Sequence, residues 1–491
     1  MKKNLKSFLS FLFLILLIGC SSIIKPPNVH QQLAESDFNK KFSPQELKHD
    51  LDFLFQTYSD VHPNLYASIS KSSVLKKIDK VKNEMTYPMT RTDFYIKVAP
   101  IVTLLSDGHT NLFYPFEEYN HRAKNGGLVF PFDLTLRHDD VLIKANYSSD
   151  SSIVAGTKLI SINEVPSKTI VDSLLQFKTG KRITFRYNSL ERQFRALLWT
   201  VYKFDNQFKV VLLSPSAKKP DTLQVNGVTV ETIKAKRNIS TLSVVNYSFH
   251  SLPGEKIGII DFRYFFDLDK FNVFLEQTFK QIKAERINRL IIDIRNNGGG
   301  SSKLGDALLN YLTNEPFVQG SRMEVKASKQ IKAYYKKFIP GILRWLPLQF
   351  VNSFGRKLWA TPEDSLAVFS FEPEQPPDNP LGFNGKIYVL IGAHTFSSAT
   401  LLAATIKDYN IGILVGEETG GLATGFGDVY PFDLPHTHLF AGVSHKRFVR
   451  PSGEDDGRGV LPDYEVKQSK ENLSNGLDTV MEFVKNLARR K

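Results

Sequence analysis

Residues 386–430 read KIYVLIGAHTFSSATLLAATIKDYNIGILVGEETGGLATGFGDVY. A short β-branched apolar run leads into a polar turn, Leu401, Leu402 and Ile406 then recur at helical spacing, and a second apolar run ends in a glycine loop. This order predicts strand, turn, helix and strand, with Ser397 and Ser398 at the start of the helix. The unpaired amides and dipole of a helix start favour negative charge, which suits a hydroxyl whose attack on a carbonyl creates an oxyanion. The competing assignment is a plain N-cap, a role serine commonly fills. The turn by itself favours the cap, so the rest of the chain has to decide.

The same unit occurs upstream. KIGIIDFRYF (256–265) predicts a strand, FNVFLEQTFKQIKAERI (271–287) a helix, and NRLIIDIRNNGGGSSKLGDALLNYLT (288–313) a buried strand, a glycine turn and a helix. Repeated units of this kind predict an α/β domain over 239–491, built on a parallel sheet with its working groups at the carboxyl ends of the strands. An interruption at 319–383 is basic and aromatic, with Lys326, Lys329, Lys332, Tyr334, Tyr335, Trp345 and Trp359. It reads either as a lid, substrate rim or membrane-facing patch, or as a solvated excursion with its aromatics tucked inward.

Residues 43–125 carry apolar positions three and four apart, as in PQELKHDLDFLFQTYSDVH, and predict a small helical domain ending in SDGHTNLFYP, where His109 lies beside Asp107 and Thr110. Residues 126–238 change to strand texture with one helix after a hairpin. Within them AGTKLISINEVPSKTIVDSLL resembles the glycine turn, strand and helix of PDZ domains, which bind chain ends as an added strand. A non-binding β module is the alternative.

The amino-terminal MKKNLKSFLSFLFLILLIGC has lysines first, then an apolar run too short to span a bilayer as an anchor, then Gly19 before Cys20. That is the order of a bacterial lipoprotein signal peptide over 1–19, with Cys20 as the lipidated residue and 20–42 as a tether. Cys20 is the single cysteine in the chain, which excludes an intrachain disulfide and a cysteine metal cluster. The net charge of +13 is spread along the sequence without a nucleic-acid motif, so no nucleic-acid partner is expected. A hydrophobic fraction of 42% and 37 phenylalanines place the chain among globular proteins. The 11 histidines lack the paired spacing of a helix-borne zinc site, and neither metal nor cofactor is expected.

Three elements point to chemistry when taken together. Gly298, Gly299 and Gly300 end a buried strand and free backbone amides to face a ligand. The His109 imidazole titrates near neutrality and suits a general base. The PSGEDDGRGVLPDYEV stretch (451–466) offers Glu454, Asp455 and Asp456, any of which would orient an imidazole.

The combination RNNGGG, TFSSATLLAATIKDYN, LVGEETGG and GRGVLPDYEV resembles the tail-specific, or C-terminal-processing, serine protease family, whose order of helical front, PDZ-like module and catalytic domain matches the order read here. The resemblance implies a crotonase-like (ClpP-like) α/β catalytic domain, peptidase activity on polypeptides, and Ser397 as nucleophile. The better-known branch places a lysine base after the Gly-Glu-x-Thr turn, where this chain has Leu422. The branch resembling the tricorn core protease uses a histidine ahead of the PDZ-like module, which falls on His109, with a downstream acid on Asp456 or, failing that, Glu454. Oxyanion donors fall on the amides of Gly298 or Gly299 and of Ser398. The expected protein is thus a lipid-anchored serine peptidase of the bacterial envelope. The alternatives are a non-catalytic binder of peptides or apolar ligands on the same scaffold and, more remotely, an acyl-CoA enzyme, for which no pair of glutamates is evident.

Overall fold

A computed structural model describes residues 33–137, 140–237, 246–339, 345, 347–350 and 352–490. The expected leader, Cys20 and most of the tether lie outside the described residues. The helical front comprises α1 (Pro44–Val61), α2 (Lys71–Glu84) and α3 (Arg91–Thr103), followed by the two-residue strand β1 (Asn111–Leu112) and α4 (Phe116–Lys124). Helix α1 starts at a capping box: the Ser43 hydroxyl accepts from the Glu46 amide while the Glu46 carboxylate accepts from the Ser43 amide. Its stripe of Leu47, Leu51, Leu54, Tyr58 and Val61 is buried. The turn between α3 and β1 carries His109.

The next module is an antiparallel sheet of β2 (Phe132–Leu136), β3 (Val141–Asn146), β4 (Lys158–Ile162), β5 (Gln207–Leu213) and β6 (Asp221–Asn226), in that spatial order. Helices α5 (Ser167–Leu174) and α6 (Ile183–Tyr202) lie between β4 and β5 in sequence. The segment leading into α6 leaves the module and reaches the turns that carry Asp107, Phe396 and Glu418. Thr179 donates its hydroxyl to the Asp107 carbonyl at 2.7 Å, Arg182 pairs with Glu418, and Phe185 stacks on Phe396 at 4.3 Å. Further along α6, Arg192 donates to the His394 ring at 3.0 Å. Burial and the nearby cations Arg192 and Lys144 push the His394 imidazole down to about 3, so the ring is neutral and accepts that bond.

The α/β domain runs β7 (Tyr247–Leu252), β8 (Ile257–Phe262), α7 (Leu268–Ala284), β9 (Arg289–Asp293), α8 (Lys303–Leu312), β10 (Arg322–Lys326), α9 (Lys329–Lys337), α10 (Ser353–Ala360), β11 (Leu366–Ser370), β12 (Lys386–Ile391), α11 (Ser398–Asp408), β13 (Ile413–Gly416), β14 (Gly425–Asp433), β15 (Phe440–Val449), β16 (Tyr464–Glu465) and α12 (Thr479–Arg489). One sheet has the order β7-β8-β9-β12-β13-β16 and is parallel except for β7. Its central strands are buried on both faces: Ile260, Ile292 and Val389 pack under α7, α8 and α11, while Ile259, Ile291 and Leu390 pack against α12. Burial on both sides explains why these strands read as continuous apolar runs.

The interruption at 319–383, read either as a lid, substrate rim or membrane-facing patch or as a solvated excursion, contributes β10 and β11 to a second sheet, ordered β11-β10-β15-β14, with β1 of the helical front joined to β15. Tyr335 and Phe354 pack inward while Trp345 is exposed. The core under this sheet is continuous with the cores of the helical front and of the β module. The three regions therefore meet around the His109 turn. Thr179→Val removes the module's hydrogen bond to that turn, with an expected loss of about 1 kcal/mol in stability, which denaturant unfolding of the two proteins checks.

Candidate active site

Strand β12 and helix α11 meet at Ser397, as the apolar spacing predicts, but the residue does not serve as a cap. It occupies the N-cap position with φ 55° and ψ −127°, and its side chain makes no capping bond. A non-glycine residue in that region costs on the order of 1–3 kcal/mol. The strain turns the hydroxyl off the helix end and into a cleft of about 800 Å³ that His109, Gly300, Ser398 and Leu422 also line.

Gly299 makes the tight turn possible. It has φ +93°, and a Cβ there would lie 2.7 Å from the Ser397 Cβ and 2.8 Å from the Phe396 carbonyl. Its amide, however, donates to the Asn297 side chain at 2.9 Å. This corrects the expected oxyanion assignment, because a donor already spent on Asn297 is not free for substrate. Gly298 does not line the cleft, whereas Gly300 does. The Ser398 hydroxyl donates to the Gly300 carbonyl at 2.6 Å and ties the two turns together. The Ser398 amide sits at the open first turn of α11, where helix amides have no intrahelical acceptor.

The His109 ring stacks on Phe396, the residue preceding Ser397, with ring centroids 4.5 Å apart. His109 and Ser397 are thus brought into one cleft from positions 288 apart in sequence. The buried His109 Nε2 has no hydrogen-bond partner, and no hydrogen bond joins it to Ser397. Catalytic bonds are often long in unliganded enzymes and tighten with substrate, so this geometry leaves the base role open. Burial lowers the His109 pKa, partly offset by the charges of Asp107 and Asp428 and by the Phe426 carbonyl, leaving it below its ordinary value. The ring is therefore neutral, as a base must be, at any pH near 7.

Asp456 is not brought to His109. It is exposed, and its carboxylate accepts from the Arg458 amide at 3.0 Å. Glu454 is also exposed and lies 3.8 Å from Arg450. The short, polar GEDDGRG loop satisfies its own backbone and nearby arginines, and that local bonding turns these acids away from the imidazole. The acid beside His109 is Asp107, whose Oδ1 accepts from the His109 amide at 3.1 Å and lies 4.0 Å from Nδ1.

Asp107 is buried and saturated. Its Oδ2 accepts from Thr110 at 2.6 Å, from Ser444 at 2.6 Å and from His62 Nε2 at 3.2 Å. The other His62 nitrogen, Nδ1, accepts from the Asn64 amide at 3.0 Å. That bond fixes the tautomer, so Nε2 is the nitrogen that donates to the carboxylate. Burial by itself would push the Asp107 carboxyl up, but the hydrogen bond from His62, the electrostatic pull of the His62 and His109 imidazoles and the Ser444 hydroxyl hold it well below the usual carboxylate range. Sequence reasoning reached His109 and noted its neighbours Asp107 and Thr110. It missed His62 and Ser444; the one available signal was that the helical repeat PQELKHDLDFLFQTYSDVH ends on His62.

Residues 256–466 match the model of peptidase family S41. This α/β domain belongs to that family. The match agrees with the resemblance carried by the RNNGGG, TFSSAT and GRGVLPDYEV motifs. The S41 domain and its two front regions together have the fold of mature CPAF: the structure complexed with lactacystin superposes with a TM-score of 0.66 at 15% identity, covering 91% of this chain and 98% of that one. Mature CPAF alone gives a TM-score of 0.63 at 15% identity, covering 91% and 97%. No curated protein sequence matches this chain.

Two outcomes follow from this geometry. Ser397→Gly relieves the strained backbone, so the S41 domain should gain about 1 kcal/mol in chemical denaturation while losing serine reactivity. Asp107→Asn removes a charge that raises the His109 pKa, so the acid limb of any activity profile should move to lower pH as the maximal rate falls. The wild-type limb itself should lie below about 6.5. Initial rates measured from pH 4 to 9 in both proteins test this.

Proposed function

We propose that this S41 chain is an active serine endopeptidase or carboxyl-terminal processing peptidase, held by lipid on Cys20 at the bacterial cell envelope and acting on polypeptides. The observation that carries the reading is Ser397 in a strained turn, its side chain free of the helix cap, lining one cleft with a buried His109 whose Nε2 has no partner. In this reading His109 takes the Ser397 proton as the oxygen attacks a peptide carbonyl, and later returns it to the leaving amine. The Ser398 amide and the amide of Gly300, the glycine of that turn which lines the cleft, stabilise the tetrahedral oxygen, a single such donor contributing about 10²–10³ in rate. Asp107 takes the part that the resemblance gave to Asp456, stabilising the imidazolium by charge rather than by a short bond.

The finer fold reading belongs with this proposal. A crotonase-like core is supported by the parallel strand–turn–helix units, and a PDZ-like role by an antiparallel sheet module whose α6 touches the nucleophile turn. A peptide bound on the module would be delivered toward Ser397. The lipid anchor rests on the sequence of residues 1–20. Among the described residues no helix is long and apolar enough to cross a membrane.

A second reading, a non-catalytic binder on the same scaffold, is favoured by one observation: His109 and Ser397 are not hydrogen-bonded. A fluorophosphonate probe separates the two. The catalytic reading expects labelling of the wild-type chain, loss of labelling in Ser397→Ala, and cleavage of an unfolded polypeptide by the wild type alone. If the folded wild type neither labels nor cleaves, the binding reading takes its place. For the anchor, labelled palmitate should enter the wild type and not Cys20→Ser; equal incorporation would remove the anchor from the proposal.

A further inference from the structure

A second cluster of chemistry-bearing side chains lies away from the cleft, where α1 meets the turn between β14 and β15. His49 of α1 and His436 of that turn point ring nitrogens at each other, His49 Nδ1 to His436 Nε2, at 3.1 Å. Ligand atoms of His49, Asp50 and His436 all lie within 4.8 Å of one another. Asp50 is fully buried, and its carboxylate accepts from the His436 amide at 3.0 Å, the Thr437 amide at 2.8 Å and the Thr437 hydroxyl at 2.7 Å. Those three bonds fix the turn against the helix and fix where the His436 ring emerges.

We propose that His49, His436 and Asp50 bind one divalent transition ion of the zinc class, which clasps the β14–β15 turn to α1. Two imidazole nitrogens about 3.3 Å apart are the spacing that tetrahedral zinc imposes on ligands at 2.0–2.1 Å, and the observed 3.1 Å is close to it. Two imidazole nitrogens and one carboxylate select zinc and its neighbours over magnesium or calcium, which prefer all-oxygen sites. The Glu46 carboxylate stands behind the site, its Oε1 3.9 Å from His436 Nδ1 and its Oε2 held by the Ser43 capping box. At 3.9 Å this is an ion-pair contact and not a hydrogen bond; a small turn of the His436 ring would close it, placing Glu46 as the outer carboxylate that holds Nδ1–H and leaves Nε2 bare toward the metal. His49 is exposed, so its ring is free to turn toward the ion, and water completes the coordination.

The site expected from sequence was none, because the ligands come from segments 387 residues apart and no local spacing announces them. Its position gives it a consequence for the cleft. Strand β15, which leaves this turn, carries Ser444 to Asp107, and β14, which enters it, carries Phe426 and Asp428 to His109. A metal clasp on the turn therefore stiffens the docking of the helical front on the S41 domain. This inference does not depend on the protein being an active peptidase.

The test uses the purified full chain stripped with chelator, zinc chloride as the titrant, and cobalt as a spectroscopic reporter. Expected are one equivalent of zinc bound with micromolar or tighter affinity, a higher thermal midpoint with zinc than with chelator, and visible cobalt bands of tetrahedral intensity. His49→Asn and His436→Asn should each weaken binding at least tenfold, and Glu46→Gln about tenfold, while His121→Asn on another surface changes nothing. Near-UV circular dichroism of each variant confirms that it is folded. If the folded double variant His49→Asn/His436→Asn binds zinc as the wild type does, or the wild type binds none at micromolar concentration, the pair is a hydrogen-bonded clasp and the proposal fails.

Discussion

The site depends on one buried carboxylate. Asp107 gathers donors from three stretches of chain: His62 at the end of α1, Thr110 and the His109 amide in its own turn, and Ser444 on β15. Removing one donor from such a buried charge typically costs about 1.5–3 kcal/mol, so the arrangement is stiff. The sign of its acid sensitivity follows from the depressed pKa. The stability contributed by Asp107 is complete above its unfolded value, near 3.9, and is lost as pH falls through the folded value.

That carboxylate links docking to chemistry. The imidazole facing Ser397 belongs to the helical front, the strands around it belong to the S41 domain, and Thr179 of the β module holds the carbonyl of Asp107 itself. Ser397 is held from the other side by Gly299, which leaves no room for a Cβ, and by the Ser398 bond to Gly300. Phe396 lies between these halves, stacked on His109 and on Phe185. A shift of any of the three regions would move base and nucleophile relative to one another.

Much of this was legible in the sequence where the signal is local. The apolar runs at 257–262, 289–293 and 386–391 became parallel strands, the spacing of Leu401, Leu402 and Ile406 became α11, and the turn between placed Ser397 as expected. Leu422 lines the cleft where a lysine base was missing from the motif. What stayed hidden is contact between distant segments. Nothing near Ser444, His62 or His436 in sequence indicates its partner, since each meets that partner only after the second sheet closes on α1. The acidic loop misled for the opposite reason: Asp456 lies in a motif that invites a triad role, yet its carboxylate is taken up by the Arg458 amide two residues on. The 319–383 segment read as an interruption because its aromatics face a core made by β10, β11 and β15, a sheet assembled from both sides of the interruption.

The central claim is that the reactivity of Ser397 depends on a base supplied by the helical front. The rate of fluorophosphonate incorporation at Ser397, followed by mass spectrometry across pH in the wild type and in His109→Ala, tests it most directly. The account predicts a wild-type rate that rises with pH through a midpoint below about 6.5, and a His109→Ala rate at least about 10² lower with no such titration. Equal rates with the same pH dependence in the two proteins would contradict it.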